Sequence, residues 1–404
     1  MFESRIIRRL EEFGANHPLP LEVALWNGTR VALGDQPVVS IDLRVPAAAR
    51  DLLRPSIATL GEAYVEGRLD VRGPIQEVIR IAQALAGEHI VPGRSARLGS
   101  WLARHTRSTD RRAISYHYDA SNEFYALWLD PAMVYSCAYF RSGTEDLASA
   151  QTQKLEHICR KLALEPGQSM LDIGCGWGAL AIHAARHHGV RVTAITLSEN
   201  QHHMATKRVA EAGLSEQVEI RLQDYRDVPG EAVFDRISSV GMFEHVGLRK
   251  LGDYFGIIHQ LLKPGGVAMN HGITSQDPES ASVGLGAGEF IGRYVFPDGE
   301  LPHVSLAIRE LSAAGLELVD AESLRHHYAK TLELWSQAFE QRLDEITALV
   351  GERRARIWRV YLAGCAHAFA HSWINIYQLL AVRPLVDANG THNPLPLTRD
   401  NVYR

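Results

Sequence analysis

Nowhere in the 404 residues is there an apolar run of the ~18–20 residues that a bilayer-spanning helix needs. The opening MFESRIIRRLEEF sets Phe2, Ile6, Ile7, Leu10 and Phe13 at helical spacing between charges, without the apolar core of a signal peptide. The expectation is a protein that stays in the cytoplasm. Cysteine is scarce. The four, Cys137, Cys159, Cys175 and Cys365, show neither CxxC nor zinc-type Cys/His spacing and suggest no disulfide framework. Reduced thiols are expected, and no metal site is. Excess positive charge is lacking too, since a net charge of -5 argues against a nucleic-acid partner. There is no internal repeat and no low-complexity tract.

What is present is organised in two rhythms. Residues 1–90 mix strand-like pieces (LEVALWNGTRVAL, PVVSIDLRV) with helical ones (AARDLLRPSIATLGEAYVEG, PIQEVIRIAQALAG), as a small N-terminal α+β domain would, with a lipid or membrane role as one reading. Residues 91–114 form a linker in which six arginines from Arg94 to Arg112 face one acid, Asp110. A solvated linker and a surface for anionic headgroups both fit that run. From 115 to 404 strands alternate with helices: SMLDIG, VRVTAIT, VEIRLQD, FDRISSV and GVAMNHGIT are separated by helical stretches, and LELVDAESL and WINIYQLLAVRP follow late. That alternation predicts an α/β fold with a Rossmann-like, doubly wound sheet.

DIGCGWG, Asp172 to Gly178, follows a strand and opens a helix, the place where glycines let a ligand approach the backbone. Such a loop alone also serves dinucleotide folds. Here the acid, Asp172, starts the motif, and the second strand ends in Thr196-Leu197-Ser198 rather than in the carboxylate that holds an NAD ribose.

Seven motifs occur in one order: HYDASNEFY (117–125), YSCAYF (135–140), LDIGCGWGALA (171–181), TLSENQ (196–201), SSVGMFEHVG (238–247), FIGRYVFPDGELP (290–302) and HHYAKTLELW (326–335). With them the sequence resembles the cyclopropane-fatty-acyl-phospholipid synthase family, relatives of the mycolic acid cyclopropane synthases that use S-adenosylmethionine. The resemblance implies a seven-stranded methyltransferase sheet and makes Tyr135, Ser136, Gly174, Gly176, Thr196, Leu197, Gln201, Asp224, Tyr225 and Ser239 cofactor contacts. One departure stands out. The family pattern favours glycine where Ser121 lies, and a positive φ there would strain a serine. His117, Tyr118, Asp119 and Asn122 keep the pattern.

The resemblance also addresses the acid-imidazole pair in GMFEHVG. Attack of an alkene on a sulfonium methyl leaves a cation, and ring closure then needs one proton removed by a well-placed base. In the family that base is a bound bicarbonate, and the matched positions assign Glu244, Cys137 and Ile273 through their backbones, His271 and Tyr328 to it. Two anions in contact share a proton, with His271 as a further donor. His245 has no role by resemblance and is expected to be structural, pointing elsewhere. The pairs His187-His188 and His202-His203 show no spacing to a nearby cysteine or carboxylate cluster.

An acyl substrate needs an apolar slot. Ser282 to Phe296, with Phe290, Ile291, Tyr294, Val295 and Phe296, fits either a lid over the chain or a loop packed on the sheet. Arg353, Arg354, Arg356 and Arg359 are expected to form a solvated helix face. The reading is an S-adenosylmethionine-dependent cyclopropane synthase acting on unsaturated membrane phospholipid with bicarbonate as second cofactor, peripheral to the inner face of the cell membrane, with homodimer formation left open. The alternatives are a C-methyltransferase leaving a methyl or methylene branch, a small-molecule N-methyltransferase, and a non-catalytic lipid-binding protein.

Overall fold

The computed structural model describes residues 2–53, 55–87, 121–280, 287–296, 299–388 and 390–403. The arginine-rich run and His117, Tyr118 and Asp119 lie outside them. Two compact units take in the described parts of Met1–Gly99, Ser282–Pro297 and Trp335–His371, and of Ser100–Ala281, Asp298–Leu334 and Ser372–Arg404.

In the first unit α1 (Phe2–Asn16) buries Ile6 and Leu10, one turn apart, against the strands that follow. β1 (Leu21–Ala24) and β2 (Arg30–Ala32) form a hairpin around Asn27-Gly28, with Gly28 at φ 90° as such a turn requires. β3 (Val39–Leu43) and β4 (Leu69–Arg72) complete a sheet of order β2-β1-β3-β4, in which β1 and β3 run parallel. Three helices accompany it: α2 (Ala48–Leu53), α3 (Ile57–Val65) and α4 (Ile75–Gly87). Ser56 and Thr59 start α3 by a reciprocal capping box.

The second unit opens with α5 (Asn122–Ala126) and α6 (Leu147–Lys161). Ser121 has φ -64° and accepts the Phe124 amide as an N-cap, so no strain arises where the family favours glycine. Then β5 (Ser169–Ile173), α7 (Ala179–His188), β6 (Arg191–Thr196), α8 (Glu199–Glu211), β7 (Val218–Leu222), β8 (Phe234–Val240), α9 (Leu251–Leu261) and β9 (Leu262–Ser275) alternate. The central strands β5 and β9 are buried on both faces because helices cover both, whereas the edge strand β7 exposes Glu219 and Leu222. Leu171 and Ile237 pack with Tyr254 and Phe255 on one side, and Met170 and Val192 with Ala181 and Ala184 on the other.

Beyond residue 287, α10 (Ala287–Tyr294) belongs to the first unit. The described part of the aromatic segment is covered, as one of its two readings has it, but it is a helix packed on α3 rather than a loop packed on the sheet. Phe290 lies so close to Gly61 of α3 that a Cβ there would come within 2.9 Å of its ring. Tyr294 reaches Glu66, and Phe290, Tyr294 and Val295 are buried in this unit's own packing. α11 (Val304–Ala313), β10 (Glu317–Ser323), α12 (Arg325–Gln341), α13 (Leu343–Val350), α14 (Glu352–Ala370) and β11 (Ile374–Val382) follow. The arginines of α14 are not a plain solvated face. Arg359 is buried with its fork on Glu340 at 2.7 and 2.8 Å, Arg356 pairs with Glu352, and Arg353 pairs with Glu66.

The large sheet has the order β10-β11-β9-β8-β5-β6-β7, with β11 antiparallel to both neighbours and the pairs from β9 to β7 parallel. The strand order reverses at β5, between β6 and β8, and ligands of doubly wound sheets bind at the carboxyl ends of strands at such a reversal.

Candidate active site

A cleft opens there, lined by residues of the glycine loop, the ends of β6 and β8, and Met133 to Ser136. Three glycines in five residues turn the chain from β5 into α7: Gly174 at φ 79°, Gly176 at 55° and Gly178 at 82°. A Cβ at Gly176 would meet no protein atom within 4 Å and would stand in open space on the cleft wall. Trp177 donates its indole N–H to Asn122 Oδ1 at 2.8 Å and stacks obliquely with Tyr125, which also meets Tyr135. At the end of β6, Thr196 donates to Gln201 Oε1 at 2.8 Å, and Ser198 caps α8.

Eight of the ten expected cofactor residues line the cleft: Tyr135, Ser136, Gly174, Gly176, Thr196, Leu197, Gln201 and Tyr225. Asp224 and Ser239 are not among its lining residues. Asp224 is folded onto the Arg226 guanidinium at 2.8 and 2.6 Å, and Ser239 accepts the Tyr254 phenol proton at 2.6 Å. His245 corrects the expectation that it points elsewhere, since it lines the cleft.

Lys154 and Asp172, to which the sequence assigned no cofactor contact, also line the cleft. Lys154 is buried and donates from Nζ to Ser136 Oγ at 2.9 Å; burial lowers its pKa to about 8, against the pull of Cys137, Asp130 and Asp172. Its signal was a lysine on the apolar face of α6, beside Ala150 and Leu155. Asp172 accepts from Ser238 Oγ at 2.6 Å, burial raises it to about 6, and its second oxygen is unpaired among the described residues.

Two sets of contacts hold the elements that carry the five residues expected around the second cofactor. β8 ends at Val240 opposite His271, but β9 continues to Ser275. The Ile273 amide therefore has no β8 carbonyl and donates to Glu244 Oε1 at 2.6 Å. On its other side Ile273 faces Ile376 of β11, whose carbonyl accepts the Leu324 amide at 2.9 Å. Leu324 leads into α12, which carries Tyr328, and its carbonyl takes the Cys137 thiol at 3.8 Å. One turn past Tyr328, Thr331 Oγ1 accepts the Ala138 amide at 3.0 Å. These contacts tie Glu244 to Ile273 of β9, and Cys137 to the start of the helix that carries Tyr328, and His271 is two residues from Ile273 on the same strand face.

The protonation states follow from burial. Glu244 is raised from its ordinary 4.5 to about 7, with the Ile273 amide opposing the shift. His271 is lowered to about 3, first by burial and then by Lys154 and Lys161. The Gln378 amide donates to His271 Nδ1 at 3.0 Å, which leaves the ring proton on Nε2. Glu244 Oε2 and His271 Nε2 are buried without a partner among the described residues. A buried N–H donor and a carboxylate of intermediate basicity are groups that a small anion able both to donate and to accept would satisfy.

Gly272 explains how Phe243 and Glu244 sit so near β9. A Cβ at Gly272 would overlap the Phe243 ring. Gly272→Ala is expected to destabilise the protein by about 1–3 kcal/mol, the usual cost of overpacking a filled core. Equal urea midpoints for variant and wild type would rule out that tight approach.

Residues 105–379 match the mycolic acid cyclopropane synthetase family, and residues 11–90 match a domain of unknown function, DUF7884. The chain is 48% identical over 386 residues to a "probable fatty acid methyltransferase" of Pseudomonas putida, covering 96% of this chain and 97% of that one. It is 35% identical over 376 residues to the cyclopropane-fatty-acyl-phospholipid synthase of Escherichia coli K12, covering 91% and 93%. A crystal structure of the mycolic acid cyclopropane synthase CmaA1 complexed with SAH and CTAB superposes with a TM-score of 0.64 at 35% identity, over 67% of this chain and 98% of that one. With the glycine-loop cleft at the sheet's reversal point, these matches show that the chain belongs to the mycolic acid cyclopropane synthetase family of S-adenosylmethionine-dependent methyltransferases.

Proposed function

We propose that this enzyme converts the cis double bond of unsaturated phospholipid acyl chains into a cyclopropane, with bicarbonate as second cofactor. The observation that carries the reading is that Glu244 Oε2 and His271 Nε2 are both buried without a partner among the described residues, while the other oxygen of Glu244 takes the Ile273 amide. Their chemistry fits bicarbonate, which can donate its hydroxyl proton to Glu244 and accept from His271. When bound, S-adenosylmethionine supplies an electrophilic methyl group and bicarbonate a base that cannot diffuse away.

The chain's own residues do the positioning. The glycine loop admits the cofactor against the backbone, and Tyr135, Trp177 and Leu197 shield it from water. Glu244, held by a strand amide, keeps one face of the anion; neutral His271 donates to it without adding a charge, and Cys137 and Tyr328 close its surroundings. A fixed base of modest strength accelerates proton removal by about 10²–10⁴.

The relative named as a fatty acid methyltransferase favours a second reading, in which the same first step ends in a methyl or methylene branch. Lipids of cells expressing the protein separate the two. Cyclopropyl ring protons in their NMR spectrum, with resistance to ozonolysis, are expected; an ozonolysable branched product with no ring protons rejects the cyclopropane reading. No helix among the described residues is long and apolar enough to cross a membrane. The substrate nevertheless lies in one, so the same cells, fractionated, are expected to yield the protein with membranes at low salt and free of them at high salt.

A further inference from the structure

Among residues that do not line the cofactor cleft, a thiol, two imidazoles and a carboxylate meet between α6 and α7. Cys159 and Glu156 stand one turn apart on α6, and His183 and His188 on the neighbouring α7. The ligand atoms of Cys159, His183 and His188 all lie within 4.8 Å of one another. Glu156 Oε2 is 3.1 Å from His183 Nε2 and 3.0 Å from His188 Nε2. Its other oxygen is held by Arg160 Nε at 2.8 Å. This corrects the expectation that His188 has no cysteine or carboxylate near it. The spacing was invisible in sequence because two helices supply the set.

We propose that Glu156, Cys159, His183 and His188 form a zinc site that clamps α6 to α7. Three arguments converge. The donor set, one sulfur, two imidazole nitrogens and one carboxylate oxygen, is of the kind that tetrahedral zinc takes. With Zn–S of about 2.3 Å and Zn–N of about 2.0–2.1 Å, ligand atoms around the ion stand roughly 3.5 Å apart, so closure from the present positions is a matter of about 1 Å. The outer contact that orients a ligating carboxylate is already made, by Arg160.

Nothing is oxidised or reduced on binding. The Cys159 thiol proton goes to solvent, and the two imidazoles keep their remaining proton on the nitrogen turned away from the ion. The clamp would act on the helix that leaves the glycine loop, since Gly178, the last glycine of the loop, is the N-cap of α7. It would hold the loop's exit helix without touching the ligand.

The test is cobalt titration of the whole protein after treatment with a chelator. One equivalent of Co²⁺ is expected to produce a thiolate-to-cobalt charge-transfer band, which Zn²⁺ abolishes. Cys159→Ser is expected to lose the band. His188→Gln, at the partly exposed end of α7, keeps the core cysteine and is expected to weaken cobalt binding at least tenfold while S-adenosylhomocysteine still binds, which shows that the variant is folded. A missing band in the wild type, a band that survives in Cys159→Ser, or a folded His188→Gln with unchanged cobalt affinity would each overturn the site.

Discussion

Glu244→Gln is expected to lower turnover by about 10²–10⁴, the reach of a positioned base, while S-adenosylhomocysteine binds with nearly wild-type affinity. Glutamine keeps the size of the side chain, and rotation of its amide can present its oxygen to the Ile273 N–H. It loses the carboxylate that exchanges a proton with a neighbouring anion. Glu244 is not among the residues lining the cofactor cleft, so binding there should hardly change. Removing dissolved carbon dioxide should slow the wild type, and added bicarbonate should restore it, with much weaker rescue in the variant. A variant at the wild-type rate, or a wild type indifferent to depletion, would send the proton by another route.

The same substitution has a stability signature. The folded pKa of Glu244, about 7, is above its ordinary 4.5, so the folded protein holds this proton more tightly than the unfolded chain. That contribution is fully present below pH 4.5 and fades as pH rises through about 7. Glutamine has no such dependence. Without bicarbonate, the melting temperature of Glu244→Gln is expected to gain on that of the wild type across this window. A constant difference would mean that the carboxyl does not titrate there.

Gly176→Val is expected to abolish measurable cofactor binding. Its φ of 55° lies in the left-handed region, where a side chain costs roughly 1–2 kcal/mol per residue, and more for a β-branched one. Each 1.4 kcal/mol is tenfold in affinity. The larger effect is steric. The added atoms have no protein neighbour to displace and project into open space at the cleft, the volume the ligand would use. Calorimetric titration with S-adenosylhomocysteine measures the loss, with circular dichroism reporting the fold; equal affinity would remove the glycine loop from the cofactor site.

How much of this was legible follows from what each signal depends on. The alternation of apolar strands and helices in SMLDIG, VRVTAIT and FDRISSV is local, and those elements stand where it puts them. β4 was not legible: only Leu69 of its four residues is buried, so no alternation marks it. Lys154 and His245 were missed because the sequence shows a residue's type and not the face it turns to. The aromatic run of α10 reads as a ligand cover or as core by composition alone, and only the contact with Gly61 shows that its ring is already occupied. Ser121 shows the reverse, a departure from pattern that the chain absorbs by making the serine a helix cap.

The continuation of β9 past the end of β8 has one more consequence. Deep in a parallel sheet, an amide proton normally exchanges with solvent only when the strands separate. That of Ile273 is guarded instead by a carboxylate. Its exchange rate and chemical shift therefore report the charge on Glu244 residue by residue, giving a spectroscopic view of the base site that requires neither substrate nor turnover.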